Sequence, residues 1–234
     1  MDVAGKKAVI FGGTSGIGLA AAKQLVALGA DVVAVSRSPD KAGDVPDGIT
    51  LKKCDVLDRD AVAALCKECA PIDILISAAT GGGRAIGPFL EMDMDGYQAS
   101  FDKLWGYANV VRFGAEHVAD NGSITLVSGA PAKKCKPGQV SLSCVGGAVE
   151  ALVRAVAPEI APKRLNVVSP GTIDTPMVSM EGDERTAFYA KTTAKHLIPR
   201  PGTADEVAKG IVFMAENDFV TGTTIEVDGG WILS

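Results

Sequence analysis

A glycine-rich turn stands near the start of the chain, between a β-rich apolar run and a helical run. The strand-like KKAVIF leads straight into GGTSGIG, and IGLAAAKQLVALG follows as a helix. Glycines at this spacing allow a tight turn and bring backbone N–H groups close to a pyrophosphate, and the helix N-terminus adds partial positive charge. The turn predicts a dinucleotide-binding α/β unit, with its contacts at Gly12, Thr14, Ser15, Gly16, Ile17 and Gly18.

The same alternation of apolar β-rich runs and helical runs continues to the end of the chain. Further strands are predicted in DVVAV, ITLKKCDV, IDILIS, GSITLVS, RLNVVS and TTIEVD, with long helices over residues 93–119 and 142–161. Such alternation indicates parallel pairing, and nearly continuous apolar strands indicate burial on both faces. No linker or repeat divides residues 1–234. We therefore predict a single doubly wound Rossmann-type α/β domain, with a parallel seven-stranded sheet and helices on both faces.

The end of the second strand indicates which dinucleotide is bound. An NAD site places an acidic residue there for the ribose 2′-hydroxyl. This chain instead has VSRS, with Ser36, Arg37 and Ser38. No carboxylate is present to repel a 2′-phosphate, and the Arg37 guanidinium is suited to bind one. The sequence therefore favours NADP(H) over NAD.

Composition excludes several other classes of function. A net charge of −5 gives no electrostatic reason to expect nucleic acid or an anionic membrane as a partner. No run of 18 apolar residues is present, and MDVAGKKAVIF enters a strand too early to leave room for a signal peptide, so we expect a cytoplasmic protein. Cys66 and Cys69 form a CxxC but fit one helical turn, and with only two histidines in the chain we expect no metal site.

Five ordered motifs make the chain resemble the short-chain dehydrogenase/reductase family. GGTSGIG resembles its TGxxxGIG turn, CDVLD its third-strand motif, SPGTIDTPM its PG-x-I-x-T segment, and RPGTADEVAKGIVFMAEN and VTGTTIEVDGG its C-terminal helix and strand. The resemblance implies that Asp55 bonds the adenine and Val56 flanks it. It also implies that Pro170, Gly171, Ile173 and Thr175 hold the nicotinamide carboxamide and the diphosphate. SAAT, which begins Ser77, Ala78, Ala79, stands where the family has NNAG.

The family's proton-transfer positions carry other residues in this chain. GGAVEAL resembles the segment that begins at the lysine of YxxxK, which places Gly146 at the lysine and Leu142 at the tyrosine. GSITLVSG places Gly129 at the strand serine, 13 residues before Leu142, a usual spacing in the family. FDKLWG places Lys103 at the asparagine. The resemblance therefore implies a cofactor site without the usual acid.

Lys103 and Ser128 are the candidates for the missing chemistry. Desolvation in the nicotinamide pocket would lower the pKa of Lys103 and make it a proton donor, although it could instead bond backbone carbonyls. Ser128 could donate a hydrogen bond only. An anionic substrate group could be bound by one of Lys133, Lys134 and Lys136, or these could form a solvated loop. Tyr189, in a predicted lid over residues 177–200, and Cys144 each have a plain packing role as the alternative.

Three hypotheses about function remain open at this stage. The first is an NADP(H)-dependent oxidoreductase with a displaced proton donor, acting on a carbonyl, alkene or imine group of a small molecule. The second is an NADP(H)-binding protein without reductase turnover, such as a redox sensor or partner-binding module. The third is a lyase or isomerase in the old pocket. The resemblance also implies a homodimer or homotetramer.

Overall fold

The central sheet has seven parallel strands in the computed structural model, which describes residues 1–80 and 83–234. The strands of the chain are β1 (Lys7–Phe11), β2 (Asp31–Ser36), β3 (Ile49–Lys53), β4 (Ile72–Ser77), β5 (Val118–Val127), β6 (Arg164–Pro170), β7 (Ile173–Asp174), β8 (Gly202–Thr203) and β9 (Thr224–Val227). The sheet order is β3-β2-β1-β4-β5-β6-β9, while β7 and β8 pair in a small separate sheet. The predicted single α/β domain with a seven-stranded parallel sheet is confirmed.

Seven α-helices lie within the described residues, and five of them cover the two faces of this sheet. The seven are α1 (Gly16–Ala27), α2 (Arg59–Cys69), α3 (Met94–Ala99), α4 (Asp102–Gly114), α5 (Val140–Val156), α6 (Gly182–Thr193) and α7 (Ala204–Glu216). The five on the sheet are α1, α2, α4, α5 and α7. Alternate residues of β1 enter different cores: Phe11 packs with the face that holds α2, α4 and α5, and Ile10 with the face that holds α1 and α7. Both side chains are fully buried. No helix within the described ranges has the length and apolarity needed to cross a membrane.

The helix predicted over residues 93–119 is two helices with a break at Ser100. The Ser100 hydroxyl donates to the Gly96 carbonyl 2.9 Å away and accepts from the Ala85 N–H at 2.9 Å. A serine bonded in this way competes with the regular helical pattern, and here it also holds a distant loop. The helix predicted over 142–161 spans Val140–Val156, and the predicted lid contains α6.

The strand order reverses between β1 and β4, which opens a crevice at their carboxyl ends. β1 is hydrogen-bonded to β2 on one side and to β4 on the other. The chain leaves β1 toward α1 on one face, and after β4 it returns through α4 on the opposite face. Ligands of open α/β sheets bind at such a switch point.

Candidate active site

A cleft of about 760 Å³ occupies this crevice. All but two of the predicted cofactor residues line it: Gly12, Thr14, Ser15, Gly16, Ile17, Gly18, Ser36, Arg37, Asp55, Val56, Ala78, Ala79, Pro170, Gly171, Ile173 and Thr175. The exceptions are Ser38, which precedes a short exposed 3₁₀ turn, and Ser77, which is fully buried within β4. We call the part near Arg37 the nucleotide end and the part near Lys103 the substrate end.

The glycine turn at the nucleotide end leaves no space for side chains. A Cβ on Gly18 would lie 2.1 Å from the Gly12 carbonyl oxygen, and one on Gly12 would lie 2.6 Å from the Ala79 nitrogen. Helix α1 starts after Ser15, whose side chain makes no capping bond, and its first turn has no acidic residue. The first N–H groups of the helix are thus left for an anion, which fits the pyrophosphate of a dinucleotide.

Two side chains at the end of β2 fit a 2′-phosphate. The Ser36 hydroxyl is buried and has no hydrogen-bond partner among the described residues. Arg37 is exposed and forms no ion pair with any residue of the described ranges. A buried hydroxyl without a partner next to a guanidinium is suited to a phosphate oxygen. Asp55 and Val56 line the wall beside them.

Lys103 reaches the substrate end from α4. Its Nζ donates to the Ser128 carbonyl oxygen at 3.0 Å and lies 5.5 Å from the centre of the Tyr107 ring. Burial lowers the pKa of Lys103 to about 7, and the nearby positive charge of Arg84 lowers it further in the same direction. An ammonium has three donors, so the bond to Ser128 leaves two for a ligand in the cleft.

The Ser128 hydroxyl points to a buried acid on α5. It donates to Glu150 Oε1 at 3.1 Å, and Glu150 is 5% exposed. Lys133 Nζ lies 3.9 Å from Glu150 Oε2 and pairs with Glu226 on β9. The hydroxyl proton of Ser128 is therefore already bonded to protein, and what Ser128 presents toward Lys103 is its carbonyl oxygen.

Leu142, Gly146 and Gly129 line the cleft at the positions where the family resemblance implies tyrosine, lysine and serine. Gly146 is buried, and a Cβ there would lie 3.1 Å from the Ala132 Cβ and 3.5 Å from the Gly129 carbonyl oxygen. A side chain at position 146 would require Ala132, in the 3₁₀ turn Ala130–Ala132, to move by a few tenths of an ångström. Leu142 offers only an apolar surface.

The tyrosines in the cleft wall bond to backbone carbonyls. The Tyr107 hydroxyl donates to Val127 at 3.0 Å, and the Tyr189 hydroxyl to Ile173 at 3.4 Å. Burial raises the pKa of both phenols. Tyr189 is only 4% exposed, so it packs α6 onto the segment after β6. The third tyrosine, Tyr97, does not line the cleft; it lies beside the exposed Cys144.

The lysines predicted to bind an anion do not line the cleft. Lys133 pairs with Glu226, and Lys136 Nζ lies 4.7 Å from the centre of the Trp231 ring. The cleft has a different cation, Arg84, which sequence reasoning missed. In the sequence, Arg84 is marked only by the glycine-rich run that stands before it. Such a run does not show that the chain then passes the cleft.

The two cysteines of the CxxC are buried residues of a helix. Cys66 and Cys69 both lie on α2 and are buried, and burial raises the pKa of Cys66 to about 12. The described part of the chain contains no cluster of histidine, cysteine and acidic side chains that could hold a metal ion. These thiols are packing groups of the core.

Comparison with known proteins identifies the family. A family model described as enoyl-(acyl carrier protein) reductase matches residues 12–232. A solved structure described as a short chain dehydrogenase/reductase family protein is 32% identical, has a TM-score of 0.86, and each chain covers 100% of the other. The chain belongs to the short-chain dehydrogenase/reductase family. The protein is therefore an oxidoreductase of the short-chain dehydrogenase/reductase type.

Relatives within the family share nearly the whole length of this short-chain dehydrogenase/reductase. The 3-oxoacyl-[acyl-carrier-protein] reductase of Thermotoga maritima is 30% identical over 253 residues, which covers 100% of each chain. The crystal structure of a small-chain dehydrogenase in complex with NADPH is 29% identical, with a TM-score of 0.84, and the match covers 98% of this chain and 100% of that one.

Proposed function

We propose that the protein is an NADP(H)-dependent oxidoreductase that uses Lys103, in place of the tyrosine of YxxxK, to supply a proton. The substrate is a small molecule with a carbonyl, alkene or imine group. The observation that carries the proposal is the Lys103 ammonium in the substrate end of the cleft, held at 3.0 Å from Ser128.

The nucleotide end supports NADP(H) as the cofactor. Ser36 and Arg37 fit a 2′-phosphate, and the start of α1 fits the pyrophosphate. The NADPH complex of a similar structure supports the same assignment. When bound, NADPH supplies the hydride.

The substrate end supplies the remaining parts of the reaction. Lys103 donates a proton to the substrate atom that becomes negative as the hydride arrives, and the neutral amine is then protonated again from solvent. A proton donor is most effective when its pKa is near the working pH, which the pKa of about 7 satisfies. The Ser128 carbonyl orients the ammonium, and Leu142 excludes water.

Glu150 acts as a positioning residue in this scheme. Its carboxylate accepts from the Ser128 hydroxyl and so holds the end of β5, whose Ser128 carbonyl binds Lys103. We expect Glu150→Gln to keep most of the turnover, because the amide oxygen can accept the same bond. Glu150→Ala should lower turnover more, since it removes that acceptor.

The first experiment separates turnover from binding. NADPH binding is followed by its fluorescence, and NADPH consumption is measured with a panel of carbonyl, enone and imine compounds. Binding without consumption across the panel would favour the NADP(H)-binding module over the reductase. Absence of NADPH binding would contradict every function based on this cofactor.

The second experiment assigns the proton donor. Lys103→Met should lower turnover by roughly 10²–10⁴-fold, the usual contribution of general acid catalysis, and leave NADPH affinity within about twofold. The control is Arg154→Met, which removes an exposed cation of α5 outside the cleft and should change neither quantity. Turnover retained in Lys103→Met would show that another group is the donor.

For the assembly we propose a homodimer or homotetramer. Large apolar side chains remain exposed on α4 and around α7, including Trp105 at 57% and Phe213 at 43%. Contacts between copies would bury this surface. Sedimentation velocity tests the proposal, and a monomer at micromolar concentration would contradict it.

A further inference from the structure

Residues 85–87 are fixed beside the substrate end by three hydrogen bonds. The Ala85 N–H donates to the Ser100 hydroxyl at 2.9 Å, and the Ser141 hydroxyl of α5 donates to the Ala85 carbonyl. The Gly87 N–H donates to the Gly138 carbonyl at 2.9 Å. Both serines are buried and line the cleft. The backbone next to Arg84 is therefore held from two helices.

Arg84 carries a positive charge into the same space as Lys103. Both side chains line the cleft, and each extends from a different element. The charge of Arg84 acts on Lys103 and on the Tyr107 hydroxyl, which are one helical turn apart on α4. Two like charges held close together repel each other, and an anion between them would remove that repulsion.

The rest of the substrate end has a largely apolar wall with a few uncharged polar groups, and it has no acid. Its large side chains are Ile86, Leu142, Met177, Phe188, Tyr189 and Trp231. Among the described residues that line the whole cleft, Asp55 at the nucleotide end is the only carboxylate. The two cations therefore have no acidic partner within the cleft wall, while the surface around them suits an apolar group.

We propose that Arg84, with Lys103, forms a subsite for a carboxylate, so that the substrate is an apolar molecule bearing a carboxylate next to the group that is reduced. The inference rests on the proposed function, because it assigns the substrate of that site. Arg84 binds the carboxylate with its planar guanidinium, and the apolar wall takes the hydrocarbon part. Lys103 lines the same cleft, and the two donors that its bond to Ser128 leaves are available to the carboxylate and to the reacting atom.

A pair of probes that differ only in charge tests this subsite. We would titrate trans-cinnamate and the neutral trans-cinnamamide into the protein by calorimetry, once with saturating NADP⁺ and once without it. Cinnamate should bind roughly tenfold more tightly than the amide, the usual contribution of a charged hydrogen bond. Because NADP⁺ carries no hydride, the measurement does not depend on turnover.

Variants at Arg84 assign the preference to this side chain. Arg84→Met should lower the ratio of the two affinities several-fold, because only Lys103 then remains to hold the carboxylate, and Arg84→Lys should restore part of the loss. Arg154→Met, an equal loss of charge outside the cleft, should keep the full ratio. Arg84 is exposed, so its replacement should leave the fold intact, and circular dichroism checks this.

Three results would overturn the inference: equal affinities for the two probes, an unchanged ratio in Arg84→Met, or no cinnamate binding up to about 10 mM, where even weak sites are occupied. Failure of the proposed function looks different. If the protein prefers cinnamate but never consumes NADPH, the carboxylate subsite is supported and the reductase function is contradicted. If the protein consumes NADPH without preferring cinnamate, the reductase function is supported and the carboxylate subsite is contradicted.

Discussion

The two ends of the cleft are built from different kinds of groups. At the nucleotide end, backbone N–H groups and the lack of side chains at Gly12 and Gly18 form the binding surface. At the substrate end, individual side chains such as Lys103 and Arg84 supply the charges. A backbone surface changes only if the turn changes, whereas a side chain can be replaced on an unchanged helix. The family resemblance accordingly implies matching motifs at the first end and different residues at the second.

The substrate end draws its groups from elements that face each other across the cleft. A Cβ at position 146 on α5 would lie 3.1 Å from the Ala132 Cβ, so α5 approaches this turn closely. Lys103 comes from the facing helix α4 and binds the end of β5. The family resemblance implies a lysine at position 146, so the proposed function places the cation of the site on α4 and not on α5.

The largest effect should come from filling the nucleotide end. In Gly18→Ala the new Cβ would lie 2.1 Å from a backbone oxygen, so the turn must shift. We expect NADPH affinity to fall by about 100-fold or more, because several phosphate contacts are lost together. Gly147→Ala is the control, since a Cβ there meets nothing within 4 Å. NADPH titration and thermal unfolding of both variants check this, and normal NADPH binding by Gly18→Ala would contradict the assignment of the turn.

A smaller effect should distinguish NADPH from NADH. Arg37→Met removes the proposed 2′-phosphate contact, and we expect NADPH affinity to fall roughly 10–100-fold while NADH affinity stays nearly constant. Lys41→Met removes an exposed cation a few residues away that does not line the cleft. Its affinities for both nucleotides should match the parent protein. If Arg37→Met lowers the affinities for NADPH and NADH equally, Arg37 does not bind the 2′-phosphate.

The smallest effect should be on stability, and it should depend on pH. The folded-state pKa of Lys103, about 7, lies below its ordinary value of 10.5. Between these values the unfolded chain binds more protons at this group, so its contribution to stability rises with pH. The penalty for burying the charge is complete below pH 7 and is relieved toward pH 10.5. Lys103→Met should therefore stabilise the protein more at pH 6 than at pH 10, by about 2 kcal/mol. This is half of the roughly 4 kcal/mol that the two pKa values imply, because part of Lys103 remains in contact with solvent.

Urea unfolding of the parent protein and of Lys103→Met at the two pH values measures this difference directly. Comparing the variant with the parent at each pH removes the effect of the other titrating groups. An equal increment at pH 6 and pH 10 would mean that Lys103 is not desolvated in the cleft.

Sequence reasoning reached the sheet and the helices on both faces, because each has a local pattern, and most of the residues that it assigned to the cofactor line one cleft. Glycine spacing, alternation and the residues after a strand are all visible along the chain. Arg84 was missed because its place depends on Ala85 being bonded to Ser100 and Ser141, residues that are distant in sequence. The bond of Ser128 to Glu150 likewise joins a strand end to a helix and has no local signature.

The central claim is that Lys103 supplies the proton, and the pH dependence of turnover tests it most directly. Once a substrate is found, kcat/KM for NADPH consumption, which reports the enzyme before the substrate binds, should be constant at low pH and fall about tenfold per pH unit above the pKa of Lys103, near 7, because only the protonated amine can donate. The residual turnover of Lys103→Met should lack this decline. A parent profile that stays flat to about pH 9, well past that pKa, or a Lys103→Met variant with the same decline, would contradict the claim.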